Sequence, residues 1–158
     1  MPVEETDPVV ERIATVLYER LNASDDFDEV IRPTRMGGFT PKHLQVVLTQ
    51  DDPTEVPELF LPGNPPAIAF AQRFNIRCHV IPSERDPVSV DKYVNAMTAN
   101  VVKAVCVDND WYTFGSRSLD ATWESRENID SDGGPDGINI PLTITFRTSE
   151  LDPYALRA

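Results

Sequence analysis

Two periods of hydrophobic and polar residues run along this chain. Near its start Val9, Ile13, Val16, Leu17 and Leu21 recur at helical spacing, with Glu11, Arg12, Glu19 and Arg20 mostly off the stripe, which predicts an amphipathic helix. Asp7 is placed to cap it and Pro8 to occupy its first helical position, where a missing N–H costs nothing. The polar run from Asn22 to Asp28 ends it. A second stripe, Val90, Val94, Met97, Val101 and Val105, follows the same cap-then-proline signal at Asp86-Pro87. The other period is two. Phe74, Ile76, Cys78 and Val80 alternate with Asn75, Arg77 and His79, as a half-buried strand in the middle of a sheet does. Ile138, Ile140, Leu142, Ile144 and Phe146 alternate with Asn139, Pro141, Thr143, Thr145 and Arg147 in a longer strand, and Pro141 argues for an edge position or a bulge near its start.

The shorter signals complete the order. Val30, Ile31 and Arg32 read as a strand stopped by Pro33, and Gly37-Gly38 as a turn before a strand from Leu44 to Thr49, so the two are expected to pair as a hairpin. From Gln50 to Pro66 the chain is acidic and carries Pro53, Pro57, Pro62, Pro65 and Pro66, which predicts a long stiff loop excluded from an interior sheet. Loops of that length usually have a function or are mobile. Ile68 to Phe70 starts the next extended segment. Past the turn at Asp108-Asn109-Asp110 come Trp111, Tyr112 and Phe114, then a strand with Leu119, Ala121 and Trp123, and a turn from Asp130 to Gly137 closes a hairpin onto the last strand. The order predicts an α+β fold, a mixed and mostly antiparallel sheet with two amphipathic helices packed against it. No repeat or linker divides the chain, so residues 1–158 are expected to form one domain, with a Pro-rich acidic loop at 50–66 and a short C-terminal tail at 149–158.

Charge narrows the function classes. Fourteen Lys and Arg against 26 Asp and Glu give a formal charge of −12, so the surface as a whole repels phosphate and disfavours a classical nucleic-acid binder. The chain is 41% hydrophobic, enough to fold, yet no apolar run approaches the roughly 20 residues that span a bilayer, and no membrane association is expected. The polar, acidic N-terminus lacks the pattern of a secretory signal and predicts a cytoplasmic protein, where Cys78 and Cys106 stay reduced.

Candidate chemistry is sparse. His43 and His79 are the two histidines, and Gly115-Ser116-Arg117-Ser118 lacks the glycine frame of a nucleophile elbow. The two histidines and two cysteines are too scattered for zinc. Asp108, Asp110 and Tyr112 fall at alternate positions, as in a calcium loop, without its glycine and distal glutamate in place, and the cluster of Asp130, Asp132 and Asp136 equally suits a turn. Phosphate-cradling glycine motifs are missing. Neither catalysis nor a cofactor is expected.

The layout as a whole resembles the tail-terminator or tail-completion proteins of long-tailed bacteriophages. The likeness lies in the order of elements and in three stretches: Arg32-Pro33-Thr34-Arg35, Pro62-Gly63-Asn64-Pro65-Pro66, and Thr145 to Tyr154 with its Asp-Pro-Tyr end. The resemblance implies a virion protein assembled in the host cytoplasm. It implies a closed ring of roughly six subunits that caps the tail tube, stops its polymerisation and offers a surface to the head connector. DNA would pass through the lumen without specific binding. On that reading the tube-protein or intersubunit contacts fall to Arg32, Arg35 and Arg147, each otherwise an ordinary surface pair, to the final strand, and to Leu151, Asp152, Pro153 and Tyr154 of the tail. Asp51, Asp52, Glu55 and Glu58 face the lumen or the tube, or are simply a solvated acidic loop. Trp111, Tyr112 and Trp123 serve as interface anchors or core packing. Two other readings stand beside this one: a head-completion or connector-docking neck protein, and a small cytosolic ligand-binding or enzymatic α+β domain.

Overall fold

A computed structural model describes residues 6–32, 44–80, 90–129 and 136–157. Helix α1 (Val9–Asn22) buries Val9, Ile13, Leu17 and Leu21 completely, so the expected stripe is the packed one, with Val16 at its margin. Its start differs from expectation. Pro8 has an extended ψ of 149° and stands at the cap itself, its carbonyl accepting the N–H groups of Glu11 and Arg12, and no side chain caps the helix. Arg12 is 5% exposed, because its guanidinium turns back to the carbonyl oxygens of Asp7 and Tyr154.

The strands are β1 (Glu29–Ile31), β2 (Gln45–Gln50), β3 (Thr54–Glu55), β4 (Ala67–Val80), β5 (Asp120–Trp123), β6 (Glu127–Ile129), β7 (Asp136–Ser149) and β8 (Asp152–Leu156). Helix α2 (Val90–Val105) lies between β4 and β5 in sequence. The sheet runs β1-β2-β4-β7-β5, with β3 on β4 and both β6 and β8 on β7. Every pairing is antiparallel except that of β1 with β2. The fold is therefore α+β with a mixed, mostly antiparallel sheet.

The parallel register of β1 and β2, Val30 opposite Val46, corrects the expected hairpin. Parallel neighbours require a crossover of about a dozen residues, and the Arg32-to-Leu44 connection is long enough to supply one. The Gly37-Gly38 turn, Arg35, His43, the Asp86-Pro87 signal and residues 130–135 of the last turn lie outside the described residues.

Strand β4 is the centre of the sheet and is longer than its alternating half, since Ile68 to Phe70 joins it without a break. It pairs with β7 along its whole length, from Ala67 opposite Ser149 to Val80 opposite Asp136. On its other side β2 covers Phe74 to His79, and the Pro-rich segment takes over where β2 ends. Glu55 pairs with Phe70, the Val56 N–H reaches Ala69 O, and Leu61 bridges Ala67. This segment is thus no free loop. Its prolines fall between the residues that donate, so a proline-dense stretch can still edge a strand.

Strand β7 is interior as well, between β4 and the β5–β6 pair, which corrects the edge position expected from Pro141. The alternative, a bulge, is what accommodates the proline. Glu124, Ser125 and Arg126 face Ile140 and Pro141, three residues against two, and the Glu124 N–H donates to Pro141 O, so Pro141 meets a break in the ladder.

Both helices pack on one face of the sheet. Val46 and Leu48 of β2, Phe74, Ile76 and Cys78 of β4, and Ile138 to Phe146 at alternate positions of β7 meet Met97, Val101 and Val105 of α2 and the α1 stripe. Gly137 lies where the two long strands press together, and a Cβ there would stand 2.5 Å from Cys78 O. Gly137→Ala is expected to cost about 2 kcal/mol through forced backbone movement, read as a lower urea midpoint with unchanged slope. Among the described residues no helix is long and apolar enough to cross a membrane.

Candidate functional site

Strand alternation that buries Phe74, Ile76 and Cys78 sends Arg73, Asn75, Arg77 and His79 to the face without helices. There the side chains build a polar network. Arg73 meets Glu124 at 2.9 Å, Glu127 at 3.0 Å and Asp51 at 3.6 Å. The Asn75 amide donates to Asp51 and the Asn139 amide to Asn75, each at 2.9 Å. Desolvation works against the Arg73 charge, but its hydrogen bond to Glu127 and the field of Glu124 outweigh it and hold the guanidinium protonated more firmly than usual. Replacing Arg73 by glutamine leaves three carboxylates facing one another. It should destabilise the chain by about 1 kcal/mol in dilute buffer and far less in 1 M salt, measured by urea denaturation at the two ionic strengths.

The predicted interface residues fall into separate places. Arg32 holds Glu11 of α1 through two hydrogen bonds, at 2.8 and 3.2 Å, so it is engaged within its own chain. It lines a cleft of about 420 Å³ together with Asp51, Asp52 and Pro53, which brings three of the predicted residues into one depression. Glu55 on β3 and Glu58 on the 3-10 turn Pro57–Leu59 are exposed. Arg147 lies on β7 and donates from Nε to Leu59 O at 2.7 Å, pinning the Pro-rich segment from within the chain.

The tail is the second place. Residues 149–158 are expected from the sequence as a short tail, and within them Asp152–Leu156 turns back as β8 beside the end of β7, Leu156 opposite Thr148, with a register shift at Ser149. Among the described residues β8 pairs on one side alone, so β8 is an edge of the sheet where β7 is not. Pro153 suits such a position, since an edge strand tolerates a missing donor. The strand is well anchored: Arg12 donates to Tyr154 O at 2.8 Å, Arg157 Nη1 to Pro65 O at 3.3 Å, and the Glu150 N–H to Pro66 O at 2.9 Å. Tail and Pro-rich segment therefore form one corner. Its apolar side chains are turned outward, with Leu151 79%, Tyr154 48% and Leu156 38% exposed.

Leu156, Arg12 and Arg157 escape the sequence reading, as do Arg73, Glu124, Glu127 and Asn139. The alternation of β4 signals the polar face, but nothing in one sequence shows which carboxylates cross to it. Trp111, Tyr112 and Trp123 are half-buried: Trp111 stacks on Trp123 at 5.9 Å and meets the buried Phe114 edge-on, while the Arg20 guanidinium lies 4.7 Å from the Phe114 ring centre. Trp111 and Trp123 pack against the core, and Tyr112 meets Trp111 edge-on. Both cysteines are free thiols; burial pushes that of Cys78 up to about 12, which makes it inert. Asp108 accepts the Asp110 N–H at 2.9 Å, a turn contact ahead of the 3-10 segment Trp111–Thr113.

The sequence matches no protein-family model, and no curated protein matches it.

Proposed function

We propose that this chain is a structural protein of the neck of a long-tailed bacteriophage. In this reading it forms a ring on the end of the tail tube, ends tube polymerisation and offers a head-joining surface. The observation that carries the reading is β8: a firmly anchored edge strand at the C-terminus that holds Leu151, Tyr154 and Leu156 in solvent. Anchoring matters because an ordered arm pays less conformational entropy on docking than a loose one. The layout of two helices on one face of a mixed sheet supports it, as does the charge of −12, which repeated around a ring would line a passage that does not grip DNA. Asp51, Asp52, Glu55 and Glu58 are the residues assigned to that lining or to the tube. Assembly is expected in the host cytoplasm and residence in the virion.

The test is the mass of the protein by light scattering over a concentration series, alone and with assembled tail tubes, followed by negative-stain imaging of the tube ends. A closed ring, or density added at one tube end, is the expected result. A monomer that ignores tubes would sink the reading and favour docking to the head connector or ligand binding.

A further inference from the structure

The proposed docking role of β8 leaves open what it meets, and the charges around it bear on that. Glu58, Glu150 and Asp152 of this corner are exposed. Three arginines of the same corner are less exposed and donate to main-chain carbonyls, the buried Arg12 to those of Asp7 and Tyr154, the half-buried Arg147 to that of Leu59 and Arg157 to that of Pro65, so the outermost charges are acidic. The corner thus presents apolar side chains inside an acidic rim. The same corner on a second copy is a poor match for it, because like charges brought together across an interface oppose association, and ring contacts between copies fall to other faces.

Main-chain pairing is also restricted. The Tyr154 N–H donates to Asp152 Oδ1 at 3.0 Å and the Tyr154 carbonyl accepts from Arg12, so the middle of β8 has used the groups that an added strand would need. Further along the same side of β7, the β5–β6 edge is interrupted and carries Asp120, Glu124 and Glu127, features that block edge pairing.

We infer that the β8 corner docks a different protein, one presenting an apolar socket rimmed by lysine or arginine, and that side chains rather than strand addition make the contact. Tyr154 and Leu156, two residues apart on one strand, are the anchors, and Glu150 and Asp152 meet the basic rim. The inference rests on reading β8 as a docking surface and names the chemistry of its partner.

Its test uses the full chain and two labelled peptides, one alternating leucine with lysine and one alternating leucine with glutamate, titrated by fluorescence anisotropy. The lysine peptide is expected to bind, more weakly as salt rises, and the glutamate peptide to show no binding. Leu156→Asp and the pair Glu150→Lys with Asp152→Lys should each weaken binding at least tenfold. Asp25→Lys with Asp26→Lys, in the loop after α1, should leave it unchanged. Equal losses from both acidic sites would mean diffuse attraction to an acidic protein and would overturn the inference. A Leu156→Asp variant that disperses a self-assembled ring while still binding the peptide would also overturn it, assigning the corner to a second copy and leaving the docking role intact. Specific peptide binding by a chain that ignores tail tubes would support the partner chemistry and remove the phage reading alone.

Discussion

Phe74→Ala is expected to remove about 4 kcal/mol of stability. Phe74 is 1% exposed and sits in the centre of β4, its neighbours across the ladder being Gln50 on β2 and Leu142 on β7. Two flanking strands restrain the backbone there, so the site cannot collapse into the space a phenyl ring vacates, and a cavity term adds to the lost transfer energy. Natural domains hold roughly 5–15 kcal/mol in reserve, so the variant should fold at low temperature with a much reduced urea midpoint. A loss below about 1 kcal/mol would mean that β4 is not the central strand.

The second large effect is on assembly rather than stability. Leu151 and Leu156 are exposed, so replacing both by aspartate should change the stability read from urea denaturation by no more than about 0.5 kcal/mol each. The same variant should lose attachment to tube ends by a factor of ten or more, since charged groups in the middle of a docking surface must be desolvated without a partner. Sedimentation with assembled tubes checks it. Wild-type attachment by this variant would remove β8 from the interface, whereas loss of both folding and attachment would show that the side chains serve the core.

Those two predictions draw on parts of the molecule that were legible to different degrees. Period-based patterns hold for most described positions: Val9, Ile13, Leu17 and Leu21 and the alternation through Phe74 and Ile144 are buried as read, with Val16 and Val94 half-buried at the margins, because period and burial are directly coupled. Pairing partners were not legible. Val30 and Val46 form a parallel pair, since direction depends on the path of the connection and not on either strand's own residues. Pro141 left an edge position and a bulge open for a related reason: its missing N–H is absorbed by a break in the partner strand, and which alternative holds is revealed only by the three-dimensional register. The Pro-rich segment pairs despite its prolines because Thr54, Glu55, Val56 and Leu61 do the bonding.

The candidate site follows the same division. Tyr154 was picked from the Asp-Pro-Tyr pattern, but Leu156 looks like an ordinary apolar residue until β8 is seen to lie on the sheet's edge. Arg32, read as an interface residue or an ordinary surface pair, is held by Glu11 of its own chain, while Arg73 gathers Asp51 from one stretch of chain and Glu124 and Glu127 from another. Long-range ion pairs of this kind leave no trace in local composition.

The central claim is that the chain stops the growth of a tail tube by occupying its end. The most direct measurement is the length distribution of tubes grown from purified tube protein with increasing amounts of this chain, read by negative-stain microscopy. The account predicts shorter tubes in proportion to the chain added, each carrying extra density at a single end. Tubes of unchanged length with bare ends, at concentrations where the chain is folded, would contradict it.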